Sequence, residues 1–306
     1  MNKKTNNPLL QRYDNFFGEN TSNKLIQSKN KLRDNLFVRV NLSKTTTLEI
    51  EDFFNNNRIK YSKTMFENAY KIQKSQVNLS SSIPSLSGRM YIQDIASQIP
   101  VNTIEFEKLG RLKRTISILD MASSPGSKTT QIADMLNYYN IKYEIICLEP
   151  DKKRVTKLIN NIQKQNFKNI KIYQKYAQEY KTSKKFDIIM LDAPCSGNLI
   201  DDRHWLKKRD IKGIKKKAEI QRELLIKASK LIKQEGQIIY STCSLEPEEN
   251  EYNIQFITKK EGLDTKRIDM DFPFKTSPLI KGQNSLRMMP YNSNTQGFFV
   301  CKLVKK

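Results

Sequence analysis

The sequence predicts an α/β fold, a doubly wound and mostly parallel sheet with a small α+β domain at its N-terminal side. Three observations carry this. From Arg89 onward, short apolar runs alternate with longer helical patterns, as strands joined by crossover helices do. Acidic or thiol side chains stand at the ends of several runs, where an open parallel sheet binds its ligands. Ahead of this pattern lies a region of different texture, closed by the serine-rich segment Val77 to Gly88.

Taken in chain order, the region from Leu9 to Leu79 mixes amphipathic stretches with one clear strand, LFVRVN (Leu36 to Asn41), and a helical stretch from Leu48 to Asn56. Val77 to Gly88, with Pro84 and Gly88, reads as a loop or linker, which divides the chain into residues 1–88 and 89–306. The expected strands then end at Asp120 (TISILD), Glu149 (EIICLE), Gln174 (NIKIYQ), Asp192 (FDIIMLD), Thr242 (GQIIYST) and Leu303 (GFFVCKL). Helices are expected at Lys128 to Tyr139, Asp151 to Gln165, Gln221 to Lys233 and Pro247 to Lys259. The last strand follows an irregular stretch containing Pro273, Pro278 and Pro290, and is expected to add as an antiparallel edge.

With 306 residues, 38% of them hydrophobic, the chain can bury a sizeable core. No window approaches the roughly 18 apolar residues of a membrane span, and the first residues lack a signal-peptide pattern. A cytoplasmic protein without membrane partner, and a monomer, is expected. Four cysteines without CxxC spacing and a single histidine argue against a disulfide framework and against a metal site. The net charge of +22 suits a polyanionic partner, although a compositional bias toward Lys, Asn and Ile produces charge too. Clustering says more: Trp205 to Gln234 holds eleven basic and three acidic residues, either a polyphosphate track or a solvated helix face.

At the strand ends, Asp120 leads into MASSPGSKTT, a small-residue turn opening a helix, and Glu149, Asp192-Ala193-Pro194-Cys195 and Thr242-Cys243 follow the other strands. Three carboxylates and two thiols are therefore expected to line one crevice. The turn has only Gly126 of the glycines a phosphate cradle needs, which disfavours nucleotide triphosphates. Glu149 stands where a carboxylate accepts hydrogen bonds from ribose hydroxyls, or else caps the helix at Asp151. An adenosine-bearing cofactor such as S-adenosylmethionine fits. Cys147 and Cys301, flanked by apolar strand residues, read as core thiols. Cys195 and Cys243 lie one step beyond their strands in polar surroundings, where a thiol is accessible and tunable.

The segments DMASSPGSKTTQ, LDAPCSG and YSTCSLEPEENE strongly resemble the RNA cytosine-5 methyltransferases of the Sun/Fmu type. YIQDIASQIP, the spacing of Glu149, Arg154, Leu158, Asn161 and Asn169, and MMPYNSNTQGFFV extend the resemblance over Arg89 to Lys306, with weaker similarity before it. The resemblance implies a Rossmann-like class I methyltransferase that moves a methyl group from S-adenosylmethionine to carbon 5 of cytosine in rRNA or tRNA. It implies Cys243 as the attacking thiol, Cys195 as the thiol that assists release, and Asp192 as the acid at ring nitrogen 3. Ala122, Ser123, Ser124, Pro125, Gly126, Ser127 and Lys128 would line the methionine and adenosine, with Glu149 on the ribose and Asp192 between cofactor and base. Lys128 is alternatively an ordinary first-turn lysine facing solvent. The N-terminal unit would assist RNA binding.

The chemistry explains the residue types. Carbon 5 of cytosine is a poor nucleophile until a thiolate adds at carbon 6. DNA enzymes attack from the Pro-Cys cysteine and lack the second, so the Thr-Cys-Ser cysteine points to RNA. Departures from the family pattern are Ser123 and Ser124 for alanines, Ser127 and Asn166 for glycines, and Tyr176 where an aspartate usually meets the adenine. That last change supports a second reading, a non-catalytic RNA-binding ribosome-assembly factor that keeps the fold; the two thiols oppose it. His204 reads as a surface histidine without a role.

Overall fold

The computed structural model describes residues 7–32, 35–274 and 279–305; Pro278 of the irregular stretch lies outside them. Two helices come first, α1 (Pro8–Phe17) and α2 (Thr21–Leu32). They do not join the small N-terminal sheet. Leu9, Leu10, Tyr13 and Leu25 pack instead on Leu199, Trp205, Leu245 and Met289, over 160 residues away in sequence. The sheet forms from β1 (Leu36–Val40), β2 (Lys60–Lys63), β3 (Ala69–Lys74) and β4 (Met90–Ile92), in the order β2-β3-β1-β4, with α3 (Thr47–Asn56) beside it. Thr46 and Glu49 close a reciprocal capping box at the start of α3.

The segment expected as a loop is built differently. Its Leu79 and Pro84 are buried, it holds the helical turn α4 (Ile83–Leu86), and Gly88 presses against the last turn of a later helix, where a Cβ would meet the Lys164 carbonyl at 2.6 Å. Only glycine fits there, at φ +70°. The fourth strand of the N-terminal sheet lies just after this segment and pairs antiparallel with β1.

Next come α5 (Ile95–Asn102), α6 (Phe106–Gly110), β5 (Ile116–Asp120), α7 (Ser127–Tyr138), β6 (Tyr143–Leu148), α8 (Lys152–Gln165), β7 (Ile170–Tyr173) and β8 (Phe186–Asp192). The chain ends with α9 (Trp205–Lys208), α10 (Ile211–Leu231), β9 (Ile232–Thr242), α11 (Glu251–Glu261), β10 (Leu263–Lys266), β11 (Ser285–Met288), α12 (Pro290–Ser293) and β12 (Phe298–Lys305). The large sheet runs β10-β12-β9-β8-β5-β6-β7, with β11 also on β12. The β9, β8, β5, β6 and β7 pairs are parallel. β5 is buried at every position and β8 at all but its last, as expected for strands covered on both faces. Each such Ile, Leu or Val contributes about 1.5–3 kcal/mol by leaving water.

Three expectations need correction. β12 is antiparallel to β9 but is no edge, because β10 and β11 pair with its other side. α10 begins ten residues before the expected Gln221, at Ile211, because Asp210 caps the Gly213 amide at 2.7 Å and the lysine run supplies a solvated helix face. α11 begins at Glu251, after a turn at Pro247 in which Tyr252 donates to the Pro247 carbonyl. Asn166 takes the left-handed C-cap of α8 at φ 54°, as anticipated for the glycine it replaces.

A buried charge joins the two sheets. Arg39 on β1 is 0% exposed; its Nε donates to Gln93 at 3.0 Å, and its Nη1 lies 3.9 Å from Asp134 on α7. Asp134 in turn accepts from the Leu42 and Ser43 amides. Burial lowers the Arg39 guanidinium to about 10, and Asp134 opposes that.

Candidate active site

Chain order reverses between β5 and β8, and the crevice outside their carboxyl ends is where a doubly wound sheet takes its ligand. A cleft of about 560 Å³ opens there, lined among others by Ala122, Ser124, Glu149, Tyr176, Asp192 and Cys195. One wall is the small-residue turn. Its Ser123 hydroxyl donates to the Asp120 carbonyl at 2.9 Å and its amide to the Leu148 carbonyl. Ser124 donates to the Arg154 carbonyl, and Arg154 and Asn161 of α8 donate back to the Ser124 and Pro125 carbonyls. Gly126, at φ +103°, lies so near α8 that a Cβ would meet Leu158 at 2.9 Å.

The predicted carboxylates separate. Asp120 is buried, accepts from Thr129 at 2.6 Å and from the Ala122 amide, and does not line the cleft; burial pushes it up to about 6. Glu149 lines the cleft, yet its oxygens also take the Asp151 amide at 3.0 Å and the Arg154 guanidinium at 3.3 Å. The helix cap itself is Asp151. Asp192 accepts from Ser241 on one oxygen and from Lys128 on the other, each at 2.7 Å. Lys128 is 6% exposed, so it is not a solvent-facing lysine; it also donates to Ser97 and sits 5.2 Å above the Phe298 ring. Ser123, Pro125, Gly126, Ser127 and Lys128 shape the turn without lining the cleft among the residues named above.

The two thiols meet. Cys195 Sγ and Cys243 Sγ are 3.1 Å apart and half-buried, while Cys147 and Cys301 are buried in the core. The hydrogen bond with Cys195, burial, and the nearby Asp201 and Asp192 charges hold the Cys243 thiol well above its usual range. Tyr176 leaves its ring 57% exposed at the end of β7, and His204 is exposed at the start of α9.

Residues 111–304 match the family described as 16S rRNA methyltransferase RsmB/F. The chain belongs to that family. A tRNA (cytosine(72)-C(5))-methyltransferase of Pyrococcus horikoshii is 35% identical over 231 residues, 73% of this chain and 56% of that protein. A ribosomal RNA small subunit methyltransferase F of Psychromonas ingrahamii is 32% identical over 240 residues, 77% of this chain and 49% of that protein. The chain thus spans about half the length of these curated relatives. The crystal structure of a methyltransferase homologue from Pyrococcus horikoshii superposes with a TM-score of 0.81 at 26% identity, covering 97% of this chain and 94% of that one. The Rossmann-like class I methyltransferase fold with an N-terminal domain follows.

Within this RsmB/F-family site, sequence reasoning missed several groups. Ser97 and Ser241 hold Lys128 and Asp192, and Lys217, Ile220 and Leu224 of α10 wall the cleft, while Arg154, which the spacing after Glu149 includes, grips the turn. Ser97 and Ser241 lie inside segments that carry the resemblance but do not stand out there, because their partners arrive from other elements. Among the described residues no His, Cys, Asp or Glu cluster is arranged to hold a metal, and no helix is long and apolar enough to cross a membrane.

Proposed function

We propose that this chain methylates carbon 5 of cytosine in rRNA or tRNA, taking the methyl group from S-adenosylmethionine through a covalent bond to Cys243. The observation that carries the reading is the pair of thiols, 3.1 Å apart, of which Cys195 lines one cleft together with Asp192, itself paired with Lys128. A binding protein has no need of that arrangement, which weighs against the assembly-factor reading.

The cleft suits the cofactor: it is large enough, carries Glu149 on one flank and Asp192 on the other, and offers the exposed Tyr176 ring for stacking. Ala122 and Ser124 would face the methionine, with Ser123, Pro125, Gly126, Ser127 and Lys128 holding the turn. Bound there, the cofactor supplies an electrophilic methyl on a sulfonium. Cys243 would pass its proton to the Asp192 carboxylate as its sulfur adds to carbon 6, and Asp192 would hand that proton to ring nitrogen 3, where electron density collects, while Lys128 holds the carboxylate in place. Once carbon 5 carries the methyl, Cys195, its own proton released to water, would take the carbon 5 proton. The Cys243–carbon bond then breaks to a thiolate, and nitrogen 3 returns its proton through Asp192 to the Cys243 sulfur. The basic face of α10, with Lys212, Lys215 and Lys216 exposed, and the N-terminal unit with Arg58, Lys60 and Lys63 exposed, would hold the phosphates. The division expected at residue 88 shifts in this reading: the four-stranded sheet, which includes β4 (Met90–Ile92), acts as the RNA-binding unit, and α1 and α2 go with the catalytic one on which they pack.

Incubation with unmodified transcripts of the source organism's tRNA and small-subunit rRNA, followed by bisulfite sequencing, tests the reading. A protected cytosine that depends on added S-adenosylmethionine is expected; full conversion at every cytosine would refute it.

A further inference from the structure

The acidic run after Cys243, Glu246-Pro247-Glu248-Glu249-Asn250-Glu251, belongs to a strongly basic chain, yet Glu246, Glu249 and Glu251 are each 0% exposed. Two of the three have cations. Glu246 faces Arg12, and Glu251 pairs with the equally buried Arg287. Glu249 has no such partner among its hydrogen bonds. Its carboxylate is spent on neutral donors: one oxygen accepts from the Ser196 amide at 3.0 Å and Gln221 Nε2 at 2.7 Å, the other from Ser244 Oγ at 2.8 Å and from Ser196 Oγ. Burying a carboxylate is costly unless such bonds repay it.

Those donors define what Glu249 does. Ser196 follows Cys195 and Ser244 follows Cys243, so a single carboxylate fastens together the two loops that carry the thiols. Gln221 completes the clamp by donating to the Pro194 carbonyl on the other side of Cys195. We infer that Glu249 is a positioning residue that fixes the Cys195 sulfur against the Cys243 sulfur, and so governs release of the product rather than attack.

The asymmetry comes from what remains when Glu249 is removed. Cys243 keeps anchors outside the Cys195 loop: Thr242 donates to Asn250 at 2.6 Å, and Asn250 donates to the Ser244 carbonyl at 2.9 Å. It also stands one residue past the end of β9, whereas Cys195 stands three residues past the end of β8. The Ser196 carbonyl is held by Trp205 Nε1 and Arg209 Nε at 2.9 Å each, but the Ser196 amide has Glu249 as its acceptor. Loss of the carboxylate therefore loosens the side of the Cys195 loop that faces Cys243 while the strand still fixes Cys243. Attack needs only Cys243 near the base, whereas release needs the second sulfur within reach of the same ring.

The inference rests on the proposed roles of the two thiols, and the experiment separates them. Wild type, Cys195→Ala, Glu249→Ala and Glu249→Gln are each incubated with S-adenosylmethionine and the unmodified tRNA and rRNA transcripts. Turnover and denaturant-resistant RNA adduct are measured together, with unfolding midpoint and cofactor affinity as controls. Glu249→Ala is expected to lose turnover roughly 10- to 100-fold, as for a reacting group misplaced by about 1 Å, and to accumulate adduct as Cys195→Ala does. Glu249→Gln is expected to restore turnover, because its amide nitrogen can donate to the two hydroxyls while its oxygen keeps the Ser196 amide and Gln221. A merely destabilised protein would lose adduct and turnover together. If Glu249→Ala does not fold, Glu249→Asp, one methylene too short to span both serines, carries the same expectation. Adduct with Cys195→Ala but none with the folded Glu249 variant, or unchanged turnover in that variant, overturns the inference alone. No adduct with Cys195→Ala overturns the thiol assignment and the inference with it.

Discussion

The two walls of the cleft are held by different physics. On the β5–β6 side, the turn from Met121 to Gly126 is fixed mainly by neutral groups, serine hydroxyls, backbone carbonyls and the close approach of α8, with Asp120 on the Ala122 amide and the half-exposed Arg154 on the Ser124 carbonyl as its charged contacts. On the β8–β9 side, the loops bearing the thiols are fixed by ionisable groups taken out of water, Glu246, Glu249 and Glu251, with Arg12 and Arg287 brought from distant parts of the chain. A neutral bond contributes about 0.5–1.5 kcal/mol and tolerates exchange among small residues, whereas a buried charge left without its partner costs several. The serines that stand for alanines in the turn are tolerable for that reason, while the acidic run leaves little room.

The largest test concerns the thiols themselves. Cys243→Ala should lower methyl transfer roughly 10³-fold or more and give no RNA adduct, while Cys195→Ala should trap one; the opposite pattern on a denaturing gel would reverse their roles. Lys128→Met, which leaves Asp192 with Ser241 alone, should reduce kcat on the order of 10²-fold with an unfolding midpoint near wild type, measured by single-turnover methylation.

The charged wall should also titrate. Burial pushes Glu246 up to about 7 from its usual 4.5, so the folded protein holds a proton there that the unfolded chain has lost. Its contribution is complete below about pH 4.5 and disappears as pH rises through 7, on the order of 3 kcal/mol. Urea unfolding across that range should show the decline, and Glu246→Gln should flatten it. Tyr13→Phe removes the phenol that donates to Glu246 at 2.7 Å and should cost about 1–2 kcal/mol by the same measurement. Ser123→Ala, on the neutral wall, should cost about 0.5–1.5 kcal/mol and leave methylation within roughly twofold. A larger loss from Ser123→Ala than from the Glu246 variants would break the contrast between the walls.

What the sequence made legible follows the same division. β5, β6, β8 and β9 could be read because strands buried on both faces are unbroken apolar runs, and the residues one step past them were named with the strands. Short strands such as β10 and β11 could not, since LDTK and SLRM owe their pairing to β12 and have little apolar pattern of their own. The acidic run read as the start of a helix. Its partners Tyr13, Ser196 and Arg287 lie far off in sequence, and no local pattern reveals that a carboxylate will be buried against them.

Arg39 sets a limit on how this molecule can be cut. The helix that follows the Met121 to Gly126 turn carries Asp134 in its interior; the cation facing it belongs to the other sheet, and the Leu42 and Ser43 amides that complete its hydrogen bonds lie in the turn just after β1. A fragment beginning near residue 89 would strip Asp134 of Arg39 and of both amides it accepts from, so the smaller unit supplies the counterion of a helix on the larger.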